Sequence, residues 1–206
     1  MTINTKTLAA IDIGTNAIRL FISNVEEYPT ETLFKKIAFL RVPIRLGEDV
    51  FTTGEIGQQK RKRLCETMQG FSYIMSAFNV ESYKAYATCA MREARNGKSV
   101  AEQIQKECDL NIEIISGTKE AETIFAGGMN EVVDDDKTYL YVDVGGGSTE
   151  VIVYSKSVKV EACSFPLGTV RMLNDAVDKE EMKHFKKWLK NITEKYTPDA
   201  IIGSGG

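Results

Sequence analysis

Residues 139–155 read Tyr139-Leu-Tyr-Val-Asp143-Val-Gly145-Gly-Gly147-Ser-Thr-Glu150-Val-Ile-Val-Tyr-Ser155, and this stretch decides how the rest of the chain is understood. An apolar run delivers Asp143 to the end of a strand. Three consecutive glycines then turn the backbone, and a second β-branched run leaves from Glu150. A triple glycine costs conformational entropy and gives no packing, so a plain turn rarely requires one. It offers close approach instead: backbone N–H groups free of side chains can line up as a nest for an anion. With an acidic residue at each end, such a nest suits a phosphate that arrives with a divalent cation. An ordinary hairpin whose glycines only supply positive φ is the competing reading of this stretch alone.

A second copy tips the balance. Residues 8–23 read Leu8-Ala-Ala-Ile-Asp12-Ile-Gly14-Thr-Asn16-Ala-Ile-Arg-Leu20-Phe-Ile-Ser23. Laying Asp12 on Asp143 puts Gly14 on Gly145, Leu20 on Val151 and Ile22 on Val153. Both copies run apolar strand, Asp, one apolar residue, Gly, small polar turn, apolar strand. The duplication predicts two lobes, each presenting a hairpin to one shared cleft, so that a phosphate chain is gripped from both sides.

At 206 residues the chain has room for one large domain or two small ones. A hydrophobic fraction of 43% with 27% charged residues is that of a soluble globular protein. The net charge of −3 supplies no global field for nucleic acid or a membrane surface, so neither is expected as a partner. The N-terminus lacks the basic-then-apolar layout of a signal peptide, and no apolar run approaches membrane-spanning length. Cysteines 65, 89, 108 and 163 show neither paired metal-ligand spacing nor a secreted disulfide framework, which predicts a reduced, cytoplasmic protein. The single histidine, His184, excludes histidine-rich metal centres and stands in a charged amphipathic segment, where a surface position is expected.

Taken in order, residues 8–15 and 17–25 form the first hairpin, and 32–46 a third strand that Pro43 assigns to a sheet edge. Residues 50–57 read as a turn region. A helix follows over about 56–78, because Leu64, Met68, Phe71, Met75 and Phe78 recur at helical spacing, with Lys60–Arg63 on its solvated face. Residues 81–88 are extended and Cys89 opens a short helix; 100–108 are helical and 111–115 extended. Ser116-Gly117-Thr118 caps a helix over 119–130, and Asp134–Asp136 is a loop between lobes. Residues 158–165 complete a meander. Met182, Phe185, Leu189, Ile192 and Tyr196 mark one helix stripe, and 200–202 a short buried strand. The expected domains are 1–126 and 127–206. The last residues, Gly203-Ser-Gly-Gly206, open another glycine turn, an odd place for a domain to end.

Several side chains in this frame can carry chemistry. Asp143 and Glu150 flank the glycine turn, and two carboxylates with phosphate oxygens and waters make a magnesium site. Glu120 falls in the first turn of its helix. The residues alone favour simple stabilisation by the helix N-terminus, against the sharper role of a base for water. Arg92 and Arg95 follow a strand end, where guanidinium groups either clamp phosphate oxygens or lie on a helix surface. Cys89 to Arg95 also fits a Cys-x5-Arg phosphatase loop with Cys89 as nucleophile. That loop, however, contains no glycine and carries an internal Arg and Glu.

Together these pieces resemble the exopolyphosphatase / guanosine pentaphosphate phosphatase (Ppx/GppA) family. The resemblance runs through Asp12-Ile-Gly-Thr-Asn16, Arg45-Leu-Gly-Glu48, Ala87-Thr-Cys-Ala-Met-Arg92 with Asn96, Ile115-Ser-Gly117 with Glu120-Ala121, Asp143-Val-Gly-Gly-Gly-Ser-Thr-Glu150, and Leu167-Gly-Thr-Val-Arg171. It implies an α/β, two-lobed ribonuclease H-like fold of the actin and sugar-kinase superfamily. It implies a hydrolase that removes terminal phosphate from inorganic polyphosphate or guanosine pentaphosphate with Mg2+ or another divalent cation, as a homodimer when full length. Glu120 aligns with the catalytic glutamate and Asp143 and Glu150 with the metal-side carboxylates. Arg92 aligns with a phosphate contact, and Gly14, Thr15, Asn16, Gly145, Gly146, Gly147 and Ser148 with the phosphate loops. Lys119 stands where a Glu commonly precedes the catalytic one, Asp49 replaces a usual Gly and Cys89 a common Ser. The family's second lobe continues past Gly203–Gly206, so the chain resembles its N-terminal part, which alone could be inactive. A polyphosphate- or nucleotide-binding regulatory module without turnover, and an ATPase or kinase on the same fold, are the alternatives.

Overall fold

The computed structural model describes residues 4–126, 136–156 and 158–205. Strand alternation builds the first sheet. Along β1 (Asn4–Ile13) and β2 (Ile18–Glu27), Ala9, Ile11, Ile13, Ile18, Leu20 and Ile22 turn to one face and are buried. The two strands pair antiparallel, Asp12 opposite Arg19 and Ile13 opposite Ile18. β3 (Thr32–Val42) adds antiparallel at one edge. β4 (Ser82–Ala87) and β5 (Glu113–Ile114) add in parallel on the other side, for the order β3-β2-β1-β4-β5. β3 carries a bulge: Ile22 faces Ala38 and Ser23 faces Lys36, which leaves Ile37 between them without a partner.

The third strand ends at Val42 rather than reaching residue 46. Pro43 has no N–H for the ladder, and Arg45 adopts φ 58, a left-handed turn that starts α1 (Leu46–Thr53), a helix that runs from the end of the expected strand into the region read as a turn. Helices α2 (Gln58–Ala77) and α4 (Gly97–Cys108) cover the buried face. Leu64, Met68, Phe71, Met75, Val100 and Ile104 meet Ile11, Ile13 and Leu20 in one core. Each large aliphatic side chain so buried is worth about 1.5–3 kcal/mol. The basic run at the start of α2 is not simply solvated. Lys60 pairs with Glu48 at 3.0 Å and Asp49 at 2.9 Å, and its hydrogen bond holds the Glu48 carboxyl below the usual range. Asp49 also accepts from the Gly57 amide at 3.0 Å, so it ties α1 to the start of α2.

The second sheet holds β6 (Thr138–Val144), β7 (Thr149–Ser155), β8 (Val158–Phe165) and β9 (Ala200–Gly205), in the order β8-β7-β6-β9. β7 is buried on both faces, which is why its apolar run does not alternate. On one side Ile152 and Tyr154 join Tyr139, Tyr141 and Ala121 of α5 (Gly117–Ala126). On the other, Val151 and Val153 join Leu140, Phe165, Leu167 and Ile192 of α7 (Lys179–Tyr196), flanked by Met182, Phe185, Leu189 and Tyr196 of the expected stripe. β9 is longer than expected and is an exposed edge rather than buried, with Ile201 70% exposed.

Both sheets repeat one plan. In each, an antiparallel hairpin leads to a third antiparallel strand on one side and a parallel strand on the other: β1 with β4, β6 with β9. This is the α/β, ribonuclease H-like arrangement, present twice. The chain divides into two compact units, Met1–Ile114 and Ile115–Gly206. Helix α5 falls in the second unit because it packs on β7 and β8, so this division lies ahead of the expected boundary at 126/127. Residues 127–130 of the expected helix, and the acidic segment 134–136 apart from Asp136, lie outside the described residues. Among the described residues no helix is long and apolar enough to cross a membrane.

Candidate functional site

The first turn lies at the C-terminal end of β1. The Gly14 amide donates to the Ala17 carbonyl at 3.1 Å and closes it. The start of α1 braces it from outside: the Gly47 amide donates to the Thr15 carbonyl at 3.0 Å, and the Arg45 amide to that of Asn16 at 2.8 Å. A Cβ on Gly47 would stand 2.4 Å from the Thr15 methyl, so the close approach requires glycine. Thr15 is buried and Asn16 half-buried. Asp12 is paired with the guanidinium of Arg19, its cross-strand partner, at 2.5 Å. At the same end of the sheet, the Thr88 amide donates to the Ile13 carbonyl and α3 (Cys89–Glu93) begins. Arg92 sits half-buried on α3, so the first unit gathers Gly14, Thr15, Asn16 and Arg92 where its parallel strands end. In open α/β sheets that end is where ligands bind.

Arg95 is engaged elsewhere, donating to the Thr53 carbonyl at 2.9 Å. Asn96 clamps the backbone of Ile56, accepting from its amide and donating to its carbonyl, both at 2.9 Å. Cys89 is buried and its thiol donates to the Glu93 carboxylate at 3.3 Å, which does not suit an exposed nucleophile.

The second turn is built with more care. The Gly145 amide donates to the Ser148 carbonyl at 2.9 Å. The carbonyls of Gly145, Gly146 and Gly147 are all drawn to one side, toward α6 (Thr169–Leu173). Gly145 accepts from the Thr169 amide at 3.0 Å, Gly146 from the Val170 amide at 2.8 Å and the Arg171 amide at 3.1 Å, and Gly147 from Arg171 Nε at 2.9 Å. Gly168 makes this possible, since a Cβ there would lie 2.5 Å from backbone atoms of Gly146 and Gly147. With their carbonyls so used, the amides of Gly146 and Gly147 find no protein acceptor among the described residues. An anion is their natural partner.

Asp143 and Glu150 are directly opposite on β6 and β7, so their side chains share a face. Glu150 is almost fully buried, and its Oε1 accepts from Ser148 at 2.7 Å and Ser164 at 2.8 Å. Asp143 is half-buried and its Oδ1 accepts from Ser204. Like charges placed opposite one another are destabilising unless a cation lies between or beside them. Among the described residues no group of three or more His, Cys, Asp or Glu side chains converges. Two carboxylates beside an anion nest nevertheless fit Mg2+, which takes only one or two from a protein and completes its shell with substrate phosphates and water.

Glu120 is half-buried in the first turn of α5, where the Ser116 hydroxyl caps the Lys119 amide at 3.2 Å and the Ser116 carbonyl accepts from the Glu120 amide at 2.9 Å. His184 has a 60% exposed side chain. Sequence reasoning did not single out Gly47, Ser164, Gly168, Arg171 or Ser204 as site residues. Their roles arise from contacts distant in the chain, which local pattern does not carry.

Comparison with known proteins agrees with this picture. The profile of the Ppx/GppA phosphatase family matches residues 21–204. A bifunctional 3-dehydroquinate synthase/phosphatase of Fusobacterium nucleatum is 31% identical over 199 residues, covering 90% of this chain and 30% of that protein. A putative exopolyphosphatase of Haemophilus influenzae is 28% identical over 167 residues, covering 81% and 50%. The crystal structure of an exopolyphosphatase from Cytophaga hutchinsonii superimposes with a TM-score of 0.85 at 26% identity, covering 98% of this chain and 67% of that one. The chain thus spans half or less of these two curated relatives.

Proposed function

Because the chain belongs to the Ppx/GppA phosphatase family, we propose that it hydrolyses phosphoanhydrides, releasing terminal phosphate from inorganic polyphosphate, guanosine pentaphosphate or both. The observation that carries this reading is the second turn. Its carbonyls are tied back by residues 169–171, and two facing carboxylates stand beside the amides this frees. In this scheme the amides of Gly146, Gly147 and Ser148, with the Gly14–Asn16 turn, bind phosphate oxygens, and Arg92 holds the terminal phosphoryl group. Asp143 and Glu150 would hold Mg2+, which when bound neutralises charge on the phosphate oxygens. Glu120 orients a water and accepts its proton as the water oxygen bonds to phosphorus. The bridging P–O bond breaks, and the shortened chain leaves with the electron pair. No covalent intermediate is required. Four free thiols, Cys65, Cys89, Cys108 and Cys163, support a reducing, cytoplasmic setting. A homodimer is our proposal for its assembly.

The test is phosphate release from polyphosphate and from guanosine pentaphosphate, side by side, with Mg2+ and with chelator. Glu120→Gln should lower release by about 10²-fold or more on the true substrate. Turnover at the unaltered rate would end the assignment. Tight binding of polyphosphate by the unaltered protein without any release would select the regulatory reading instead.

A further inference from the structure

Tyr141 and Asp143 alternate onto one face of β6, and Ser204 stands opposite Asp143 on the parallel neighbour β9. The Tyr141 hydroxyl and Ser204 Oγ are 2.6 Å apart, and Ser204 Oγ donates to Asp143 Oδ1. A serine has a single O–H to give. Here it is spent on a carboxylate that can only accept, so in the contact with Tyr141 the phenol must be the donor. The result is a directional chain of hydroxyls, Tyr141 to Ser204 to Asp143.

Two features show that this chain is built rather than incidental. Tyr141 is packed among Tyr139, Ile152, Tyr154 and Ala121 and is buried, so its ring cannot swing away. A phenylalanine would fill that space without a polar atom to satisfy, yet the phenol ends on Ser204. The facing carboxylate is treated alike, since Ser148 and Ser164 both donate to Oε1 of Glu150. Two carboxylates left opposite one another would rotate apart. Hydroxyl donors on fixed strands oppose that rotation.

We propose that Ser204 and Tyr141 are positioning residues for Asp143: they occupy Oδ1 and fix the carboxylate plane, so that Oδ2 is presented to the divalent cation. Oδ2 has no protein partner among the described residues. The proposal rests on the reading of Asp143 as a metal-side carboxylate. Ser204 lies on the exposed strand β9, so its replacement leaves the core intact.

Mn2+ binding to the protein, followed by the loss of free-ion paramagnetic resonance signal, tests the proposal without reference to turnover. Loss of an outer hydrogen-bond partner typically costs about 10–100-fold in metal affinity. Ser204→Ala should therefore weaken Mn2+ binding about tenfold or more, Ser204→Thr should restore it, and Tyr141→Phe should weaken it by a smaller factor. Thermal denaturation of each variant in chelator should match that of the unaltered protein. In phosphate release, Ser204→Ala should raise the Mg2+ concentration needed for half-maximal rate more than it lowers the rate at saturation. If Ser204→Ala binds Mn2+ normally while Asp143→Asn does not, the relay is wrong and the metal reading stands. If Asp143→Asn also binds normally, or the unaltered protein binds no Mn2+, the metal reading falls and takes the relay with it.

Discussion

The two Asp–Gly turns are copies in sequence and opposites in charge. In the first, the residue across the ladder from the aspartate is Arg19, and the pair neutralises itself at 2.5 Å. In the second, the residue at the equivalent position is Glu150, and the pair is doubly negative. The bracing differs as well. Two amides from the start of α1 hold the first turn, whereas three amides and a guanidinium from residues 169–171 hold the second. A duplicated unit has thus kept its backbone plan while dividing the work. The first turn sets a guanidinium opposite its aspartate, and the second sets a carboxylate there.

The largest effect expected from this contrast is steric. Gly168→Ala would drive a methyl into the backbone of Gly146 and Gly147, which cannot move without opening the turn. A loss of about 3 kcal/mol, the upper end for overpacking, is expected with phosphate release abolished, measured by chemical denaturation and assay. Gly47→Ala meets side chains of Thr15 and Phe51 instead and should cost about 1 kcal/mol. Equal losses would erase the distinction between the braces.

The next effect is electrostatic. Glu150→Gln keeps the oxygen that accepts from Ser148 and Ser164 but removes one of two facing charges. It should abolish any rise in Tm that Mg2+ gives the unaltered protein, read by thermal denaturation with Mg2+ and with chelator. Asp12→Asn, which breaks an attractive but half-exposed pair, should lower stability by less than about 1 kcal/mol. A Glu150→Gln protein still stabilised by Mg2+ would take Glu150 off the metal side.

A smaller effect separates Thr149 from Ile18, the residue that corresponds to it in the first copy. The Thr149 hydroxyl donates to the buried Leu167 carbonyl, so Thr149→Val should cost about 1 kcal/mol by denaturation, with both turns otherwise intact. The smallest expectation is one on which the units agree. Burial pushes the Cys65 thiol up to about 11 and raises those of Cys108 and Cys163. Raised thiols carry little thiolate at pH 8, so disulfide reagents should modify Cys65, Cys108 and Cys163 slowly, and faster only as pH climbs toward the raised values. Rapid modification of Cys65, Cys108 or Cys163 at pH 8 would contradict this.

The legible part of the molecule was the part written locally. Both hairpins, the helix stripe of Leu64, Met68, Phe71 and Met75, and that of Met182 to Tyr196 follow from strand and helix periods read within one segment. Asp143, Glu150 and the glycines of the second turn could be placed because they adjoin in the chain. Helix α1 escaped because its start depends on Arg45 in a left-handed conformation that few side chains adopt and composition does not announce. β9 read as buried from Ile201 and Ile202, although the sheet places it at an edge. The serines that hold the two carboxylates escaped for a different reason: Ser164 and Ser204 meet them only through strand register, which no short window of sequence contains.

The bulge on β3 has a consequence for how this protein behaves at high concentration. β3 is a long outer strand with Phe34 and Phe39 open to solvent, the kind of border onto which a neighbouring chain could add and keep adding. Ile37 breaks the even spacing of its free amides and carbonyls, and Lys35 and Lys36 set charges beside the break. An apolar margin interrupted in this way offers an incoming strand no continuous run of partners to follow.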